Sequence, residues 1–113
     1  MDDGRLPTSL WVEAHLRRLN EMGRGYYIVQ KGAFAAGTVL LKINLLDGQA
    51  RVLTQIRDMD GNLGWMAALG QERVAESDAD AYIRRAMDRD PDVWVIEIED
   101  KGGENPFEGK EIL

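Results

Sequence analysis

Glu97 and Glu99 are the residues of this chain whose type and spacing come nearest to a reactive pair. Alternate residues of a strand share one face about 7 Å apart. At that separation two carboxylates can hold a magnesium ion through water, or flank a bond to be cleaved. Asp100 projects to the other face. No second acidic or histidine cluster can be placed beside the pair from sequence, so a solvated strand end is the competing account. His15 is the single histidine, and a general base or ligand needs a located partner. Beside Leu16 and Leu19 it reads as a boundary residue with a packed ring and one nitrogen in water. Arg17, Arg18, Arg84 and Arg85 form two pairs on the outward sides of two helices; neighbouring helices would merge them into a patch for phosphates or an acidic protein. The bland alternative is a pair of solvated helix surfaces, partly neutralised by Glu21, Asp80 and Asp88. "DMDGN" at residues 58–62 has calcium-loop chemistry but compressed spacing, with Leu69 where a bidentate Glu is required, so it reads as a turn.

Composition narrows the chemistry further. The 113 residues suffice for one domain with a single core. With no cysteine there is no disulfide, thiolate metal site or cysteine nucleophile. A net charge of −6 argues against a protein held to nucleic acid by phosphate neutralisation. No apolar run approaches the roughly 20 residues of a membrane span. The two acids at the start differ from the basic region of a secretory signal, so a cytoplasmic address is expected. Gly-rich phosphate loops, nucleophile elbows and zinc-ligand spacings are missing. No cofactor or metal is implied.

The elements that must position these residues are legible in part. "LPTSLWVEAHLRRLNEMG" predicts a helix with Thr8 as N-cap and Gly23 just past its end, striped by Val12, His15, Leu16, Leu19 and Met22. "YYIVQ" predicts a strand. "GTVLLKINLLDGQARVLTQI" predicts a hairpin with a tight Asp47-Gly48 turn. "LGWMAAL" predicts a fourth strand. "ESDADAYIRRAMDRDP" predicts a helix in which Ser77 and Asp80 form a capping box and Pro91 bars continuation. Ala79, Tyr82, Ile83, Ala86 and Met87 follow its apolar face. "DPDVWVIEIED" then predicts a central strand, apolar on both faces at its start and acidic on one at its end. Six acids and two lysines fall between Glu97 and Leu113. Residues 102–113 accordingly read as a flexible acidic tail beyond an ordered core of about 6–101, unless Phe107 or Ile112 docks.

The expected fold is one α+β domain over 1–113, in the order α-β-β-β-β-α-β: a mostly antiparallel sheet of about five strands with two helices on one face. Leu40, Leu53 and Tyr26 or Tyr27 would then line an open sheet face of the kind that marks a partner surface.

"LPTSLWVEAHLRR", "GAFAAGTVLLKIN", "LDGQARVL" and "DPDVWVIEIEDKGG" resemble domain-of-unknown-function family 1491, small proteins of alphaproteobacteria, from about Arg5 to Lys101. The resemblance implies a bacterial cytoplasmic protein and supplies no activity, cofactor or site residue. The expected function is a non-catalytic binding or assembly module, self-associating through the open sheet face or meeting an unknown protein partner, with neither nucleic acid nor membrane involved. The alternatives are a metal-assisted or acid/base enzyme using Glu97 and Glu99, and weak nucleotide or RNA binding through Arg17, Arg18, Arg84 and Arg85.

Overall fold

The strand Val39–Asn44 organises the molecule because it is buried on both of its faces. The computed structural model describes residues 6–112. The opening Asp2-Asp3, which argues against a secretory signal, therefore lies outside the described residues, as does Leu113. In chain order the elements are α1 (Thr8–Glu21), β1 (Tyr26–Gln30), β2 (Val39–Asn44), β3 (Gln49–Arg57), β4 (Leu63–Ala67), β5 (Val74–Ala75), α2 (Glu76–Arg89), β6 (Trp94–Glu99) and β7 (Lys110–Ile112). They form an α+β fold with one mixed seven-stranded sheet in the order β1-β6-β2-β3-β4-β7, β5 pairing with β3. β1–β6, β2–β3, β3–β4 and β3–β5 are antiparallel, whereas β2–β6 and β4–β7 are parallel. The five longer strands are those expected from sequence; β5 and β7 add two short ones.

The helices lie on opposite faces of this sheet, which corrects the expectation that both share one. Val39, Leu41 and Ile43 of β2, Leu53 of β3 and Trp94, Ile96 and Ile98 of β6 pack with Val12, Leu16 and Leu19 of α1. Leu40 of β2, Val52 of β3 and Val95 of β6 pack with Ala79, Ile83 and Ala86 of α2. The physical reason is the strand chemistry. Central strands that are apolar on both faces must be covered on both, as in sheets with helices on each side. Of the residues expected to line an open face, Leu40 is covered by α2 and Leu53 sits opposite Leu41 on the α1 side, whereas Tyr27 on the terminal strand remains exposed.

α1 ends as expected and begins differently. Gly23, at φ 72°, follows the last turn; Arg24 N–H donates to the Leu19 carbonyl and Gly23 N–H to that of Asn20, the paired bonds of a Schellman motif. The N-cap is Pro7 rather than Thr8, with no side-chain cap bond. Carbonyls of Ala35 and Phe34 accept the first helical N–H groups, and Thr8 Oγ1 accepts from Gly37 N–H at 3.2 Å. Likewise α2 begins at Glu76 after Ala75, and the expected Ser77–Asp80 capping box does not form. Asp80 is engaged elsewhere. The β2–β3 turn is longer than a two-residue loop: Leu45 N–H donates to the Gln49 carbonyl, and left-handed residues occur at Leu46 and Gly48.

The segment between β1 and β2 wraps the Trp94 indole, whose Nε1 donates to the Ala33 carbonyl at 2.9 Å. A Cβ on Gly32 would overlap the Asp92 carbonyl oxygen and lie 2.6 Å from Trp94 Cδ1. Backbone cannot yield as a flexible side chain can, so Gly32→Ala should destabilise by about 1–3 kcal/mol through overpacking. Thermal unfolding checks it; an unchanged melting temperature would show that this approach is not tight.

Residues 102–112 are not the expected flexible tail. Phe107 is buried, β7 pairs in parallel with β4, and the Trp65 indole donates to the Glu108 carbonyl at 2.9 Å. Phe107 docks in a cage of Trp11, His15 and Trp65, offering more apolar burial than the acids of this segment oppose.

Candidate functional site

Glu97 and Glu99 part company at the end of β6. Glu99 is exposed, whereas Glu97 is partly buried and turned toward Lys42. Lys42 occupies the middle of β2, on the face covered by α2, and is only 3 % exposed. Its ammonium donates to Asp80 Oδ1 at 2.7 Å and Glu76 Oε2 at 2.8 Å, and lies 3.4 Å from Glu97 Oε1. Glu76 and Asp80 stand one helical turn apart at the start of α2, so both reach the same ammonium. Asn44, two residues along β2 on the same face, bridges Glu76 and Glu97 at 3.2 and 3.3 Å. Burial alone would depress the lysine pKa. The bonds to Asp80 and Glu76, with the charge of Glu97, outweigh it and raise the pKa above the ordinary lysine value.

That direction decides the chemistry. A nucleophilic or Schiff-base lysine needs a lowered pKa, and Lys42 is held as a cation. Its carboxylates converge on an ammonium, and among the described residues no group of three or more His, Cys, Asp or Glu side chains could hold a metal ion. The cluster is an ion-pair anchor joining the first turn of α2 to β2 and β6. Sequence reasoning missed it, although "VLLKIN" carried a signal: one charge in the middle of an apolar strand must find partners when buried.

His15 is fully packed. Its Nδ1 lies 2.8 Å from the Trp11 carbonyl; a carbonyl only accepts, so Nδ1 bears the proton there. The ring stacks on Phe107 at 4.9 Å and 8°. Nε2, expected in water, is instead buried without a hydrogen-bond partner among the described residues, 4.0 Å from Glu108 Oε1. The histidine thus belongs to the aromatic cage and is not brought to Glu97. Arg17, Arg18, Arg84 and Arg85 are all exposed, but α1 and α2 lie on opposite faces and the pairs do not merge. Asp58 caps its own turn, accepting from Asp60 N–H and Asn62 N–H at 2.9 Å. These backbone bonds, that to Asn62 foremost, hold its pKa below the usual carboxylate value.

Two open clefts of about 460 and 550 Å³ share Leu6, Thr8, Gln55 and Arg57 at the start of α1. Neither is lined by Glu97, Glu99, His15, Arg84 or Arg85.

A different surface stands out at the sheet edge. β1 is a terminal strand whose paired side faces β6. Tyr27, Ile28 and Val29 are 60, 40 and 45 % exposed, and Phe34 in the following loop is 61 % exposed. Val29 is the extra residue of a bulge, since Ile28 pairs with Ile96 and Gln30 with Val95. No acidic residue occurs between Glu21 and Asp47, and Arg24 is matched by Asp100 and Glu104 at 3.6 and 3.9 Å. The edge is consequently apolar and nearly neutral.

This combination defines a small α+β protein with one helix on each face of its sheet and an apolar terminal strand. The chain belongs to the family described as "Protein of unknown function (DUF1491)", whose profile matches residues 6–108. It is similar to a DUF1491 family protein from Caulobacter crescentus CB15 known as a crystal structure, with 36 % identity and a TM-score of 0.83 over 96 % of this chain and 100 % of that one. An NMR structure of a DUF1491 family protein from the same organism gives 36 % identity and a TM-score of 0.79 over 96 % and 97 % of the two chains. A solution structure of a protein from A. tumefaciens gives 25 % identity and 0.69 over 93 % and 96 %. No curated protein matches. The profile reaches past Lys101 to take in Phe107. Among the described residues no helix is long and apolar enough to cross a membrane.

Proposed function

We propose that this protein is a non-catalytic binding or assembly module of the cytoplasm that docks an extended segment along the outer edge of β1. One observation carries the reading: Tyr27, Ile28 and Val29 hold apolar surface in water on a terminal strand. An unpaired edge is a template for another strand, and proteins ordinarily blunt it with charge, proline or cover. Among the described residues β1 has a bulge as its only such device, with no charge from Gly25 through Gln30. β7, the strand at the far edge, is shorter and carries Lys110 and Glu111. Main-chain bonds along such an edge supply affinity while alternate side chains supply selectivity. The residues that looked reactive support the same reading, because Glu97 and His15 are engaged in holding α2 and the C-terminal segment.

A fluorescent peptide with the sequence of residues 24–31 provides the test. Its anisotropy should rise on titration with the protein, and Ile28→Lys plus Val29→Lys in the protein should weaken binding at least tenfold while leaving the melting temperature within a few degrees. Equal binding by that variant, or none by the parent chain, would defeat the proposal.

A further inference from the structure

The geometry around His15 points to a pH-sensitive clasp: a second proton on the imidazole draws the Glu108 carboxylate onto Nε2 and fastens the closing segment, residues 104–112, to α1. His15 is the single histidine of the chain and is 4 % exposed. With its proton on Nδ1, bonded to the Trp11 carbonyl, the neutral ring leaves Nε2 an acceptor, 4.0 Å from Glu108 Oε1. Two acceptors lie side by side with no hydrogen between them, and Nε2 is buried without a partner among the described residues. One proton resolves this, since an imidazolium donates from both nitrogens. The Glu108 side chain is 70 % exposed, so it is free to close to the roughly 2.8 Å of a charge-assisted bond.

The other neighbours of the ring favour the cation as well. Trp11 and Phe107 have centroids 4.1 and 4.9 Å from that of His15, inside the roughly 6 Å at which an aromatic face attracts a positive charge. The bond to the Trp11 carbonyl strengthens when its donor is charged. These contacts oppose the desolvation that burial imposes on an imidazolium. β4 brings only the uncharged Trp65 to the cage, and Glu108 is the one acid within 4.0 Å of the ring among the described residues. Arg17 and Arg18 of α1 and Lys110 of β7 are exposed, and Arg51 of β3 is paired with Glu111. Arg57 of β3 lines the same cleft as Glu108 and donates to the Gly61 carbonyl. A histidine in water takes its second proton below about pH 6.5, and a glutamate stays ionised down to about pH 4.3. The clasp is therefore closed between these limits and open at about pH 8.

Nitrogen-15 spectra of the one imidazole, recorded from about pH 4.5 to about pH 8.5, follow the proton directly. Glu108→Ala removes an exposed side chain and keeps the carbonyl that accepts from Trp65. In that variant the proton affinity of His15 should fall at least threefold, which moves the midpoint of its titration down by about half a pH unit. Amide protection of residues 104–112, taken relative to β2 and β6, should be at least threefold higher at about pH 5.5 than at about pH 8 in the parent chain. In Glu108→Ala it should be the same at both. An imidazole that stays neutral throughout, a midpoint unmoved by Glu108→Ala, or parent protection indifferent to pH would each overturn the clasp.

Discussion

Lys42→Met should lower the unfolding free energy by about 3 kcal/mol, the low end of the cost of removing one partner from a buried ion pair. The lysine is almost wholly buried, and three carboxylates approach its ammonium. Methionine would fill most of the volume of the aliphatic stem and leave Glu76, Asp80 and Glu97 facing one another without a cation. Glu76 and Asp80 are solvated on one side, which keeps the loss from reaching the upper end of the range. Adding Glu76→Gln, Asp80→Asn and Glu97→Gln to Lys42→Met should restore most of the stability, since replacing a whole buried charge cluster by uncharged groups is often neutral. Chemical denaturation of the single and quadruple variants makes the comparison. Equal losses in both would mean that Lys42 acts through packing and not through charge.

The same cluster predicts an alkaline dependence. Its folded-state pKa is raised above the ordinary value of 10.5, so the folded state holds the proton more tightly than the unfolded chain. The resulting stabilisation is complete below about pH 10.5 and is lost as pH climbs through the folded value. The stability gap between the parent chain and Lys42→Met should therefore be flat from neutral pH to about pH 10 and narrow above it. A gap that widened with rising pH would contradict a lysine held as a cation.

The sequence readily disclosed what depends on local periodicity and disclosed poorly what depends on which elements meet. Both helices and the five longer strands follow from spacing, and so does the interior position of the strand around Trp94, one in from the edge, because Val93, Val95 and Ile96 are apolar on both faces. The same pattern in Val39–Ile43 held the information that two faces needed cover. Placing both helices on one side overlooked it. β5 has two residues and β7 three, too few for any period, and each exists because a neighbouring strand presents a ladder. Lys42 was passed over for a similar reason: its partners Glu76 and Asp80 stand more than 30 positions away, on a helix whose capping pattern suggested another role for Asp80. Leu40 and Leu53 line the two cores and not an open face, because burial of the two sheet surfaces is a property of the assembled layers.

Phe107→Ala should cost about 3–5 kcal/mol, the usual range for truncating a buried aromatic residue, and its effect should spread along the closing segment. The ring touches three aromatic neighbours, with centroids 5.7 Å from Trp11, 4.9 Å from His15 and 6.1 Å from Trp65. Without it the buried Nε2 of His15 gains access to water, which relieves part of its unpaired state and sets the loss toward the lower half of that range. What remains to hold the segment is limited. Trp65 bonds the Glu108 carbonyl, Arg51 pairs with the partly exposed Glu111, and β7 contributes a three-residue ladder. Glu111 is open to water on one side, and Arg51 keeps its bond to the Gly103 carbonyl without it, so Glu111→Ala should lower the melting temperature far less than Phe107→Ala. Amide exchange should separate the two variants: residues 104–112 should lose protection in Phe107→Ala while the β2 and β6 amides stay slow, and both regions should remain protected in Glu111→Ala. Retained protection of residues 104–112 in Phe107→Ala would place the anchor of this segment in the β4–β7 ladder, and the aromatic cage would then be packing that follows the strand pairing.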